Sequence, residues 1–321
     1  MNWKTLVFCL VAFLPVSIAA DPALLRLAMD QPRVIAGLDV AHAKNSPLGQ
    51  RILDEMKVHD DSLQQLLAGT GFDPRKDLHE VILMSDGTAQ KSHTLILARG
   101  VFDHDKILRF LQAQGKAKVE NYRGTEILLP SDNETSHMAG AVAILDESTA
   151  VLGDAGLVRQ AIDHKNGSPG SLPAEVAKLV NEWSAKNHAW FVSVAPLAEL
   201  GVGRPGADRL LPGGFSMDAV LQARAGVHFG AVVDISGEAV ARSDKDAEAL
   251  ADVLRFFRSA VRLNSDKPES SDLVKIADSM KVTTSGANMS FSLSVPDEQL
   301  QQFFHSKGKA QAKNVPAHAD H

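Results

Sequence analysis

Several short clusters in this sequence have side chains that could do chemistry. His59-Asp60-Asp61 and Asp103-His104-Asp105 place imidazole beside carboxylate, the donor types of a metal site or a proton-transfer pair. A metal site needs three or more ligands converging in space, and neighbours along the chain point apart. Asp61 and Asp103 also stand where helix caps are expected, so both clusters read as helix starts. His79-Glu80 opens like a zinc-protease helix, but Leu83 occupies the second histidine position and the segment alternates like a strand. Gly201-Val202-Gly203-Arg204-Pro205-Gly206 spells a dinucleotide fingerprint. The fingerprint must close a strand and open a helix, whereas Pro196, Pro205 and Pro212 make the region a loop. Ser306 and Lys309 have Ser-x-x-Lys spacing, and His318, Asp320 and His321 could chelate a metal, but all lie in a polar tail. There is no Gly-x-Ser-x-Gly elbow and no Walker loop. The sequence therefore singles out no catalytic, cofactor-binding or metal-ligating residue, and it implies no cofactor. A serine triad whose members lie far apart in sequence stays open as the alternative.

The N-terminus has a clearer meaning. Lys4, the apolar run Leu6 to Leu14 and the small residues Ser17, Ala19 and Ala20 before Asp21 compose an export leader. The expected cut lies after Ala19 or Ala20, and the run is too short to span a bilayer. Residues 1–20 are thus read as signal peptide, and the processed chain as periplasmic or secreted with no membrane span. Cys9 is the only cysteine and leaves with the leader, so the processed chain has no thiol nucleophile, thiolate ligand or disulfide. Its stability must come from an ordinary core.

Composition narrows the partners. The chain has 321 residues, 45% hydrophobic and 22% charged, with formal net charge -6. Nucleic-acid binding needs a basic footprint and is excluded on that balance. Beyond the leader the larger aromatics are only Tyr122, Trp183 and Trp190, which is thin provision for stacking sugars or bases. Trp190 reads as core and Trp183 as core or contact. The expected partner is a protein, a lipid or a small molecule.

Periodicity supplies the frame. Strands are expected at Arg33 to Val40, Glu80 to Ser85, His93 to Arg99, Val119 to Tyr122, Thr125 to Leu129, Ala139 to Asp146 and Thr149 to Leu152. Helices are expected from Ser46-Pro47, over Ser62 to Leu67, after Asp103 and after the Asp154 cap. The second half predicts a strand at His188 to Val194 and a helix at Met217 to Arg224. A hairpin turning at Ser236-Gly237 follows, then a long helix Asp244 to Leu263 with Leu250, Leu254, Phe257 and Val261 along one stripe. A second hairpin, Lys281 to Thr284 with Met289 to Val295, leads to a last helix opened by Pro296. Ala98 to Leu111 matches Ala241 to Phe257 in pattern, and Thr149 to Ile162 matches Met289 to Phe303, which points to an internal duplication. The expected fold is α+β: two related units at 21–164 and 188–304, each an antiparallel sheet with helices packed on one face. A linker and bridging helix occupy 165–187, and 305–321 form a disordered tail.

The leader, Gly37-Leu38-Asp39-Val40, Gly71-Phe72-Asp73-Pro74 before a strand, and Ala150-Val151-Leu152-Gly153-Asp154 before a helix resemble exported bacterial proteins built from a duplicated α+β domain of unknown function. The resemblance covers most of the processed chain and implies an exported, non-enzymatic protein with no catalytic residues to transfer. The reading is an exported, non-catalytic binding or interaction protein of unknown ligand. A hydrophobic carrier would show an apolar cavity, a protein binder an exposed apolar patch or open strand edge, and a hydrolase a Ser-His-acid set in contact.

Overall fold

The computed structural model describes residues 19–51, 61–88, 93–113, 117–130, 140–200, 216–263 and 271–300. They form an α+β fold around one antiparallel sheet of 12 strands. The strands are β1 Val34–Asp39, β2 Leu78–Ser85, β3 Thr94–Gly100, β4 Ala117–Tyr122, β5 Thr125–Pro130, β6 Ala141–Asp146, β7 Thr149–Gly153, β8 Ala189–Ser193, β9 Val220–His228, β10 Val232–Ala241, β11 Lys281–Ser285 and β12 Asn288–Pro296. The helices are α1 Pro22–Leu25, α2 Val40–Ala43, α3 Asp61–Thr70, α4 Pro74–Asp77, α5 His104–Ala113, α6 Ala155–Asn166, α7 Ala174–Ser184, α8 Asp244–Leu263 and α9 Ser271–Ser279. Among the described residues no helix is long and apolar enough to cross a membrane.

Strand order across the sheet is β11-β12-β10-β9-β8-β1-β2-β3-β7-β6-β5-β4. The two halves of the chain thus share one sheet, joined where β1 pairs with β8. Outward from that seam the neighbours run β1-β2-β3-β7 on one side and β8-β9-β10-β12 on the other. At the seam Gly37 lies opposite Trp190, and a Cβ at Gly37 would sit 2.4 Å from the indole. The ring therefore lies over bare backbone, and only glycine leaves it room.

Alternation along the strands sorts the core into two layers. One face presents Ile35, Ile82, Met84, Leu95, Leu97, Val151, Trp190 and Val192, all buried against α1, α6 and α7. The other face has smaller clusters. Ala98, Ile144 and Ala150 pack with Ile107 of α5 and Phe102, while Val40 and Ala43 of α2 pack with Phe229. Ala239, Ala241 and Met289 pack with Ala247 and Ala251 of α8, and Val233 and Val295 pack with α9 through Ile276. In the second half the Trp190-bearing face turns polar. Registers place Gln222, Arg224, Asp234, Ser236, Glu238, Ser290, Ser292 and Ser294 there together.

Local chemistry accounts for most element ends. Ser46 caps the helical stretch at 47–51 by accepting the Gly49 N–H at 2.9 Å, and Asp103 accepts the Lys106 N–H at 3.1 Å. The β4–β5 hairpin turns through Arg123 and Gly124, both at positive φ (50° and 82°), the twist that two-residue hairpins favour.

Four expectations fail, each for a tertiary reason. Met217 to Arg224 is not a helix: a short 3-10 turn at Met217–Ala219 leads into β9. Ala223, Ala225 and Gly226 suit either state, and pairing with β8 and β10 on both sides decides for strand. Ser236-Gly237 is not a turn but mid-β10, because the Phe291 ring fills the space that a Cβ at Gly237 would take, 2.2 Å away. Phe257 is not on the buried stripe of α8 but 49% exposed, since alanines on both helix and sheet bring the two close and push the large rings outward. Asp154 makes no cap bond; its carboxylate accepts the Thr94 N–H at 2.8 Å and ties α6 to β3.

Replacing Gly37 with Ala should lower stability by about 1–3 kcal/mol, the usual cost of overpacking. A thermal melt followed by tryptophan fluorescence checks this, with Trp190 reporting its displacement.

Candidate functional site

The end of α7 approaches the polar sheet face and leaves a cleft of about 480 Å³. Glu182, Lys186 and Asn187 form its helical wall, and His228, Asp234, Ser236, Glu238 and Ser290 line the strand side. The wall is held by Asn187, whose amide donates to the Trp183 carbonyl at 2.9 Å and so continues the helix past its last turn. A Cβ on Gly226 would strike that amide at 2.2 Å, so β9 must be bare there. Trp183 is buried in the cluster beneath, and its Nε1 has no hydrogen-bond partner among the described residues.

Charge in the cleft is unevenly matched. Glu182 pairs with Lys186 at 3.2 Å, and Glu238 with Arg224 at 2.8 Å. Asp234 has no cation beside it among the described residues; its Oδ1 accepts the Ser294 hydroxyl at 2.6 Å. The C-terminal end of α7 adds partial negative charge from its last carbonyls. The cleft thus presents a carboxylate surplus over small hydroxyls.

Three imidazoles stand in a row at the cleft rim. His228 donates from Nδ1 to the Lys186 carbonyl at 3.1 Å and lies tilted by 33° against His188 with centroids 4.4 Å apart. His188 stacks in turn on His42 at 4.5 Å, and His42 Nδ1 donates to Asp39 at 2.5 Å. Asp39 also caps α2 by accepting the His42 N–H at 2.9 Å. His188, 4% exposed, uses Nδ1 to accept the Phe229 N–H at 2.9 Å, which fixes its remaining proton on Nε2. The seam builds this row: Asp39 N–H donates to the His188 carbonyl, and His188 N–H to the Val227 carbonyl.

The sequence clusters fall elsewhere. Asp103 caps α5, and His104 lies between Asp105 at 3.1 Å and Glu126 at 3.5 Å. His79-Glu80 is in β2, as expected. His59, Asp60, the Gly201 to Gly206 motif and the tail residues Ser306, Lys309, His318, Asp320 and His321 lie outside the described residues. So does the Asp61 side chain. Between described residues no serine hydroxyl is hydrogen-bonded to an imidazole, so no serine triad is assembled among them. Sequence reading missed the histidine row because its members are 40 to 186 positions apart; only the capping pattern Asp39-x-x-His42 hinted at one end.

Burial, then the imidazoles of His228 and His42, push the His188 pKa down to about 4, with Asp39 opposing them. The fold therefore holds neutral His188, while the unfolded chain takes up a proton near 6.5. Stability from this residue is complete above 6.5 and is lost as pH falls from there toward 4, up to about 3 kcal/mol in all. Asn at 188 keeps an acceptor for the Phe229 N–H without titrating. Denaturant unfolding at pH 7 and pH 4.5 should show that His188→Asn loses less stability on acidification than the native protein.

No family model matches the chain, and no curated protein does. Among solved structures, crystal form III of TP0453 matches 90% of this chain and 99% of its own at 8% identity, with a TM-score of 0.52. Crystal form IV of TP0453 matches 89% of this chain and 97% of its own at 9% identity, with a TM-score of 0.50. At those identities the likeness is one of fold alone, and the resemblance seen in the sequence extends no further than the shared mixed fold.

Proposed function

We propose that this protein is an exported, non-catalytic binding protein whose α7–sheet cleft takes a small solute bearing an ammonium or guanidinium group. The observation that carries the reading is Asp234: a carboxylate without a cation among the described residues, with Ser294 opposite it on β12 and Ser236 two positions along β10, in a cleft bordered by the negative end of a helix. A bound cation would pair with Asp234, and the hydroxyls would accept its further N–H groups. Most residues that line the cleft are polar or charged, with Trp183 and Phe291 also at its border. Export rests on the leader. The matching order of neighbours on either side of the β1–β8 seam supports descent of the two halves from one duplicated unit.

A second reading is favoured by Phe256 and Phe257, about half exposed and edge to face on α8 with centroids 6.1 Å apart. Such a pair is an anchor for a protein partner.

Titration calorimetry with spermidine, and with citrate as the opposite charge, distinguishes the cleft reading from no site. Spermidine should bind, weakening at least about tenfold in Asp234→Asn, a loss of about 1.4 kcal/mol. Absence of spermidine binding, or equal binding of citrate, would sink it.

A further inference from the structure

The backbone nitrogen of Asp21 faces both oxygens of the Glu80 carboxylate, 3.1 Å from Oε1 and 3.3 Å from Oε2. One N–H shared between two carboxylate oxygens uses little of what that carboxylate can accept. An α-ammonium at the same atom would offer three N–H groups and a full positive charge. The described surroundings lack a cation dedicated to Glu80: Arg99, whose charge reaches it, pairs with the Asp21 side chain. Burial, with Asp21 and Asp39 nearby, pushes the Glu80 pKa up to about 7 against the lowering effect of the Asp21 N–H and Arg99. A half-buried carboxylate beside an uncharged amide is costly; beside an ammonium it is matched.

We infer that the export leader is cut between Ala20 and Asp21 and that the α-ammonium so released locks the processed chain by pairing with Glu80. In the cut, a leader peptidase adds water across the Ala20–Asp21 bond. Ala20 keeps the hydroxyl as its new carboxylate, and the Asp21 nitrogen leaves as an amine that takes up a proton. The cut acts on the chain during export, before the fold closes, and the pair forms as α1 docks. Asp21 is already held for this, because its side chain caps α1 through the Ala23 N–H at 2.7 Å and pairs with Arg99. A cut after Ala19 would instead place the charge on Ala20, a residue 5% exposed whose nitrogen has no acceptor among the described residues. Loss of Ala20 gives up only one methyl from the adjoining core.

This inference rests on the export reading but not on the ligand. The full precursor is expressed in a bacterial host, and the first residue of the exported product is determined by N-terminal sequencing. Asp21 is expected. Ala20, or any other start past the leader, overturns the pairing alone, and retention of Met1 overturns export itself. The exported product is then melted beside the same chain made in the cytosol with Met ahead of Asp21, which leaves an amide at the critical nitrogen. At pH 7.5 the exported form should melt a few degrees higher, and Glu80→Gln should erase the difference. Equal melting points for the two forms would refute the ion pair without appeal to any variant.

Discussion

The stacking of Trp190 on the bare backbone of Gly37 is the constraint from which the rest of this structure follows. It fixes the register of β8 against β1, and a slip of one residue would turn every side chain of β8 to the wrong face. In the observed register Trp190 and Val192 enter the main core, and β9, β10 and β12 continue outward as one sheet. The two halves are therefore not neighbours docked through side chains. They share a continuous backbone ladder, with the largest aromatic of β8 covering the joint.

The same register assembles the candidate site. The Asp39–His42 pair at the end of β1 comes beside His188 at the start of β8 and His228 at the end of β9. His228 in turn reaches the carbonyl of Lys186 at the end of α7, where the cleft begins. The cleft lies on a stretch of sheet surface whose inward-facing positions are serines and acids rather than valines and leucines. A polar face packed under a helix end encloses space that an apolar face would fill. The row of imidazoles gives the rim an acid sensitivity that neither half has alone, since His188 meets a like group on each side.

The sequence is most informative where chemistry is local. Caps at Ser46 and Asp103, the Arg123-Gly124 turn and most first-half strands follow from residue type and alternation, as does the mixed α+β class. It misleads where small residues are ambiguous. Ala223, Ala225 and Gly226 have no strand signature, and Ser236-Gly237 has every mark of a turn until Phe291 is seen lying over it. Alanines likewise hide the buried stripe of α8, so that phenylalanine draws attention to a face that solvent in fact sees. The site is the least legible part. Its histidines are single residues at unremarkable strand and helix ends, and nothing short of the β1–β8–β9 pairing brings them together. Glu80 is visible in the sequence only as half of a failed zinc motif, and its partner Asp21 only as the residue after a leader.

That the halves are fused through β1 and β8 into one cooperative body is tested most directly by hydrogen exchange of the backbone amides that cross the seam. Val34 to Leu38 pair with Ala189 to Ser193. If the seam is the structural centre, amides bonded across it will open only with global unfolding, as slowly as those of the β2–β3 and β9–β10 pairs. Fast exchange along the seam with slow exchange inside each half would mean that the halves come apart as separate units, and would contradict a single body built on the Gly37–Trp190 contact.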